Sequence, residues 1–307
     1  MIPFAGQREP CNSSHNLGIT SQLPGAAAAT GTSISEDLCD MPLPLLLFIA
    51  FIQGVTEFLP VSSSGHLVLV PLVTDHPYQG RTIDVAAHVG TLLAVALYLR
   101  DDLWRMLRAI TTTDPAYQDS RRLVAYLVLA SVPVIIVGFI VNWYDPVWLL
   151  NLHTLALANL VFALLLWLAD RRGSHMHHLE GMRLWPAISI GIAQIFALIP
   201  GASRSGVTMT AALYLGFDRL SAARFSLLLS LPVIGGAGFL KTRDMIADGD
   251  LALGIDAVIV AALSCAVALV AIRVMMAWLA RASFTIFVGY RLVLGLILLS
   301  ALQMGWL

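Results

Sequence analysis

Gln53-Gly54-Val55-Thr56-Glu57-Phe58-Leu59-Pro60-Val61-Ser62-Ser63-Ser64-Gly65-His66 cuts an apolar segment, Met41–Val73, with a small, polar, turn-forming run. A second apolar segment, Leu184–Leu215, is cut in the same way by Pro200-Gly201-Ala202-Ser203-Arg204-Ser205-Gly206. Neither arm of either segment is long enough to cross a bilayer comfortably beside such a break. Non-helical backbone at membrane depth survives only where protein or a water-filled cavity covers it. Two re-entrant helix–loop–helix hairpins are therefore expected.

The rest of the chain agrees with a membrane setting. Of 307 residues 58% are apolar and 12% charged, against roughly 25% charged in soluble domains, and mean hydropathy is +0.81. This arithmetic speaks against a soluble globular protein and a disordered chain. A nucleic-acid binder lacks its basic balance, since net charge is −1 and Lys241 is the single lysine. Cys11, Cys39 and Cys265 have no paired spacing, which speaks against a disulfide scaffold or a zinc site. Residues 1–40 read as a disordered tail without the h-region of a signal peptide, and Met41 is a plausible alternative start.

Six segments are long and apolar enough to cross: Asp84–Arg100, Leu123–Trp143, Leu149–Ala169, Leu220–Leu240, Leu251–Leu279 and Phe284–Leu307. Pro133 and Pro232 lie inside spans, where neighbouring helices satisfy the freed carbonyls. An offset of 141 places Gln53 on Gln194, Ser62 on Ser203, Ser64 on Ser205 and Gly65 on Gly206. Each hairpin is followed by three spans, so the expected fold is an all-α polytopic membrane protein built as an inverted-topology repeat. Its halves cover about 41–170 and 184–307, and the two hairpins meet near the midplane. Eleven arginines between Arg100 and Arg281 fall on one side, against at most four basic residues (Arg8, Arg81, Lys241, Arg243) on the other. The first side is then cytoplasmic, and the mouth of the first hairpin faces outward.

Ionisable side chains at membrane depth are costly and point to function. Gln53 and Glu57, at i and i+4, share one helix face, where a carboxylate beside an amide oxygen suits the incomplete protein cage of a magnesium ion. The lesser alternative for Glu57 is a protonated acid bonded to a loop hydroxyl, or an ion pair with Arg204. Ser62, Ser63, Ser64 and Gly65 offer hydroxyls and backbone N–H groups to an anion. His66 beside them fits a base, an acid or a nucleophile, and also a helix cap beside an interfacial histidine. Arg204, next to Ser203, presents a planar fork for phosphate. Together these suit phosphoryl transfer from a lipid, and no P-loop or dinucleotide fingerprint accompanies them. Asp84 and His88, at i and i+4 near a span start, read as supporting or interfacial residues, with a direct role at the site as the lesser alternative. His175, His177 and His178 read as a solvated loop. His153, Arg273 and Arg291, near span ends, are expected to snorkel, and Trp143, Trp148, Trp167 and Trp185 to form an interfacial belt.

The run Gln53–Leu67 resembles the signature of the bacterial undecaprenyl-diphosphate phosphatases of the bacitracin-resistance type, with Gln53 and Glu57 matching its E/Q-x-x-x-E element. Pro200, Gly201, Ser203, Arg204, Ser205, Gly206 and Thr208 match its P-G-x-S-R-S-G-x-T element, and the resemblance runs from about Met41 to the C-terminus. It implies hydrolysis of undecaprenyl diphosphate to undecaprenyl phosphate and inorganic phosphate, recycling the carrier lipid of peptidoglycan. It further implies a divalent cation (Mg or Ca) and an outward-opening site in the bacterial inner membrane. Carried over, Gln53 and Glu57 serve the metal. Glu57 and Arg204 take part in catalysis, with Ser63 or His66 as nucleophile. Ser62, Ser64, Gly65, Ser203, Ser205 and Thr208 bind substrate. Gln53 departs from members with a second glutamate there. No nucleic-acid partner is expected, and a homodimer is compatible with the pattern.

Two rivals remain at this level. Ser64-Gly65-His66 and Ser203-Arg204 echo type-2 phosphatidic acid phosphatases, but Thr210 stands where the second histidine of that family belongs. Inverted repeats with broken helices also fit a lipid flippase or secondary transporter, although ion coupling alone does not demand so dense a Ser–His–Arg–Glu set.

Overall fold

The computed structural model describes residues 42–74, 80–144, 151–248 and 254–305. Regular structure there is helical apart from one isolated bridge between His177 and Phe217. The expected tail, the alternative start at Met41 and Trp148 lie outside the described residues.

Both interrupted segments are helix–break–helix units. In the first, α1 (Leu43–Thr56) gives way to a turn and restarts as α2 (Ser63–Thr74). In the second, α7 (Leu184–Ala193) tightens into a 3₁₀ turn, Gln194–Leu198, before the break and α8 (Arg204–Tyr214). Prolines at 42 and 44 start α1, where a missing N–H costs nothing. The Ser203 hydroxyl caps α8 by accepting from Gly206 N.

Among the described residues, five helices are long and apolar enough to cross a membrane: α5 (Gln118–Tyr144), α6 (Leu152–Arg172), α9 (Arg219–Asp248), α10 (Ile255–Leu279) and α11 (Thr285–Gln303). The chain is thus a polytopic helical membrane protein. Pro133 and Pro232 lie inside α5 and α9, as expected. The segment expected as Asp84–Arg100 is α3 (Arg81–Tyr98), and it does not end there. After Leu99 the chain bends by 79° into α4 (Arg100–Thr111), and only the bent pair together passes as a sixth crossing element. The charged run Arg100-Asp101-Asp102 opposes further descent into hydrocarbon. Asp102 instead holds Arg224 of α9 through two hydrogen bonds, Nε to Oδ2 at 3.0 Å and Nη2 to Oδ1 at 2.5 Å.

Without a hydrophobic drive between helices in lipid, close approach depends on small residues. The α1 and α3 helices pack on α10, α5 packs on α7 and α9, and α6 packs on α11 and α8. Gly90 and Gly191 set two of these contacts. A Cβ on Gly90 would stand 2.1 Å from the Ala261 carbonyl oxygen, and one on Gly191 2.2 Å from that of Ala130. Outward-facing Ile136, Phe139, Val274 and Ile297 remain exposed, as lipid-facing positions do.

Candidate active site

The two breaks meet. Ser205 Oγ, from the second, donates to the Leu59 carbonyl of the first at 3.0 Å. Arg204 Nη2 donates to Glu57 Oε1 at 3.2 Å across 147 positions of chain. Glu57 and Arg204 thus share one buried chamber, with the guanidinium also lying over the Phe58 ring at 5.7 Å. Both breaks turn on a serine in left-handed backbone, Ser62 with φ 71° and Ser203 with φ 69°. A non-glycine residue holds that conformation only where its surroundings enforce it.

Glu57 is the hub. Its Oε2 accepts from Gln53 Nε2 at 3.0 Å and from Ser63 Oγ at 2.7 Å. Donation to a carboxylate identifies the nitrogen end of the Gln53 amide, so Gln53 Oε1 is the end left over. That oxygen is buried without a hydrogen-bond partner among the described residues, and so is Arg204 Nη1. One orphan acceptor and one orphan cationic donor beside a carboxylate leave places for a cation and an anion respectively.

His66 is already committed at both ring nitrogens. Nδ1 lies 2.7 Å from the Ser62 carbonyl and must donate to it, so Nε2 is the acceptor for the Tyr290 hydroxyl at 2.5 Å. The two rings stack with centroids 5.6 Å apart. His66 thus braces the Ser62 turn. Ser62 Oγ lies 3.2 Å from Ser64 Oγ, and Ser203 Oγ 3.2 Å from Ser205 Oγ, a matching pair of contacts in the two breaks. Gly65 packs against the Ser62 side chain. Thr208 lies one turn down α8, donating to the Arg204 carbonyl and bonded to Ser226 Oγ at 2.7 Å, which ties it to α9 and not to the Glu57 cluster.

Three residues take places that the sequence left open or misread. Arg291, expected to snorkel, is instead fully buried. Its Nε donates to Asn159 Oδ1 at 2.8 Å, its Nη2 to the Gly201 and Ala202 carbonyls at 2.9 and 3.0 Å, and its Nη1 reaches the Pro60 carbonyl at 3.5 Å. One guanidinium therefore clamps the backbone of both breaks. His88 brings Nε2 to 3.8 Å from Glu57 Oε2. Gln194, at the 141 offset from Gln53, is fully buried with neither amide atom paired among the described residues. His153 and Arg273 are exposed, as snorkelling residues are. Of the loop histidines, His178 is exposed and pairs with Asp218 at 2.8 Å.

The profile of a family described as bacitracin resistance protein BacA matches residues 46–297. The undecaprenyl-diphosphatase of Alteromonas mediterranea is 43% identical over 265 residues, covering 84% of this chain and 98% of its own length. That of Maricaulis maris is 45% identical over 265 residues and that of Roseobacter denitrificans 43% over 267, with the same coverage of each.

Proposed function

The chain belongs to the bacitracin resistance protein BacA family, and from that premise we propose that it hydrolyses undecaprenyl diphosphate to undecaprenyl phosphate and inorganic phosphate. The observation that carries this reading is the Glu57–Ser63–Arg204 cluster, in which a hydroxyl, its proton acceptor and a phosphate-binding fork converge across the two breaks. A transporter reading has no comparable support.

In the proposed mechanism the prenyl tail stays among the apolar helices while the diphosphate enters the chamber. Arg204 Nη1, the unpaired donor, takes a phosphate oxygen. Ser63 Oγ attacks the terminal phosphorus as its proton passes to Glu57 Oε2 along the existing 2.7 Å hydrogen bond. The bond from phosphorus to the bridging oxygen breaks and undecaprenyl phosphate leaves. The departing oxygen takes up the proton from Glu57; the restored carboxylate then accepts a proton from the water that attacks the phosphoserine and returns it to Ser63 Oγ as the P–Oγ bond breaks and inorganic phosphate leaves. Ser62, Ser64, Gly65, Ser203 and Ser205 shape the two turns around the phosphates, while Thr208 holds α8. His66 supports the Ser62 turn, since both of its nitrogens are engaged.

A divalent cation suits the donor set: Gln53 Oε1 is an orphaned buried acceptor beside the Glu57 carboxylate. When bound, such an ion neutralises phosphate oxygens. The inverted-repeat arrangement is supported by packing, since α1 on α10 is matched by α7 on α5, and α3 on α10 by α9 on α5. With the arginine-rich side cytoplasmic, the chamber opens to the outer face of the bacterial inner membrane.

Phosphate release from undecaprenyl diphosphate by purified protein in detergent, with chelation and metal add-back, tests the reading. Acid quenching should trap an acid-stable phosphoserine on Ser63. An acid-labile adduct would transfer the role to His66, and no phosphate release under any cation would reject the enzyme.

A further inference from the structure

His88 stands beside Glu57 in the posture of a metal ligand. Its Nδ1 lies 2.7 Å from the Asp84 carbonyl oxygen, one turn back on α3. A carbonyl only accepts, so Nδ1 carries the proton and a neutral ring keeps its lone pair on Nε2. Nε2 faces Glu57 Oε2 at 3.8 Å, too far for a hydrogen bond. Two lone-pair-bearing atoms thus stand 3.8 Å apart with no hydrogen bond between them. Ligands held about 2.1 Å from one shared ion stand roughly 3.0–4.2 Å apart, which brackets this gap. A histidine whose other nitrogen is fixed by a backbone carbonyl is the usual arrangement of a ligating imidazole.

The third donor is an amide. Among the described residues no three His, Cys, Asp or Glu side chains converge. Gln53 Oε1, however, is buried, unpartnered and attached to the amide that touches the same carboxylate oxygen. We propose that His88 Nε2, Glu57 Oε2 and Gln53 Oε1 form a divalent-cation site, with His88 as a direct ligand and the Asp84 carbonyl as its orienting partner. This deepens the diphosphatase reading by naming a nitrogen donor in its cation site. An imidazole donor favours transition ions over Mg²⁺ and Ca²⁺, so Mn²⁺ binds more tightly here than either. The alternative is an imidazolium paired with Glu57, which needs no ion.

The test is spectroscopic and independent of turnover. Intact protein in detergent, loaded with up to one equivalent of Mn²⁺, is examined by electron spin-echo envelope modulation. Directly coordinated ¹⁴N from one imidazole is expected, replaced by the ¹⁵N pattern when the histidines are ¹⁵N-labelled. The signal should vanish in His88→Gln, with Mn²⁺ affinity falling about tenfold or more, and persist in His177→Ala. Mn²⁺ bound at Glu57 without nitrogen modulation, or modulation that survives His88→Gln, would overturn the ligand assignment and leave the phosphatase reading standing. No binding of Mn²⁺ at all would overturn the cation site itself, while phosphate release in chelator would still be measured separately.

Discussion

Replacing Arg291 by lysine keeps the charge and removes the fork. The guanidinium makes three hydrogen bonds of 2.8–3.0 Å, to Asn159 and to the Gly201 and Ala202 carbonyls, and a longer one of 3.5 Å to Pro60. A lysine ammonium gathers its donors on one atom, so it serves Asn159 or the second break but not both. About two charge-assisted bonds are lost, each worth roughly 1.5–3 kcal/mol, for a total near 3–6 kcal/mol. Part of this falls on stability, and intrinsic tryptophan fluorescence during heating should show a lowered transition. The rest falls on registry between the breaks, because the carbonyls released belong to the turns that aim Ser63 and Arg204. A misplacement of about 1 Å at a reacting group costs on the order of 100-fold, so kcat for phosphate release should fall by about that factor. Gly206→Ala offers a milder form of the same perturbation, since its new Cβ would lie 2.8 Å from Arg291 Nη1. Arg291→Lys with activity within threefold of the parent protein would refute the clamp.

Glu57→Gln and Arg204→Ala should each reduce phosphate release by about 1,000-fold or more, the scale seen when groups acting directly on transition-state charge are removed, with detergent size-exclusion profiles unchanged. Gly191→Ala drives a methyl into the Ala130 carbonyl, 2.2 Å away; overpacking of this kind costs about 1–3 kcal/mol, visible as a lowered melting transition without any residue of the chamber being touched. At the loop joining α8 and α9, burial pushes the Asp218 carboxyl up, but Ser221 hydrogen bonds and His178 outweigh it and hold the group below the usual carboxylate range. A depressed carboxylate contributes stability above its unfolded value of 3.8, and that contribution is lost as pH falls through the lower folded value. Asp218→Asn should accordingly flatten the acid limb of the melting-temperature profile below about pH 4.

The breaks were legible because each is a local violation: a run of serine, glycine and proline has no reason to sit at membrane depth unless something covers it. The offset between them was legible for the same reason, and the two serines it aligns, Ser62 and Ser203, both have positive φ, 71° and 69°. The sharp turn after Leu99 was half-visible, as the charged run that ends the first apolar span. That Asp102 would be drawn back to Arg224, more than a hundred residues on, was not. Arg291 was misplaced because its distance from a span end, about two turns, is what a snorkelling arginine shows as well. Only packing tells that α11 faces inward there, against α6. His88 suffered similarly: the i,i+4 relation to Asp84 is written in the sequence, whereas its approach to Glu57 arises from two helices, α1 and α3, meeting on α10.

The two breaks share a serine with positive φ and divide the chemistry between them. The same offset of 141 that superposes Ser62 on Ser203 places Ser63 on Arg204, Glu57 on Leu198 and His66 on Val207. The first break therefore contributes the carboxylate, the hydroxyl beside it and the imidazole, and the second contributes the cation. Two identical acidic breaks would set like charges together in a medium that strengthens their repulsion, and two basic breaks would do the same. Opposite charges at equivalent corners let the breaks attract, and the Glu57–Arg204 contact at 3.2 Å is the result. That pair alone would be costly to bury. Ser63, Gln53 and the Phe58 ring surround it, yet among the described residues Arg204 Nη1 and Gln53 Oε1 have no hydrogen-bond partner. A buried charge network that leaves a guanidinium donor and an amide acceptor without partners is poorly optimised for stability. The fold tolerates it because Arg291 and the Ser205–Leu59 bond hold the two turns together through backbone carbonyls, independently of what the chamber contains.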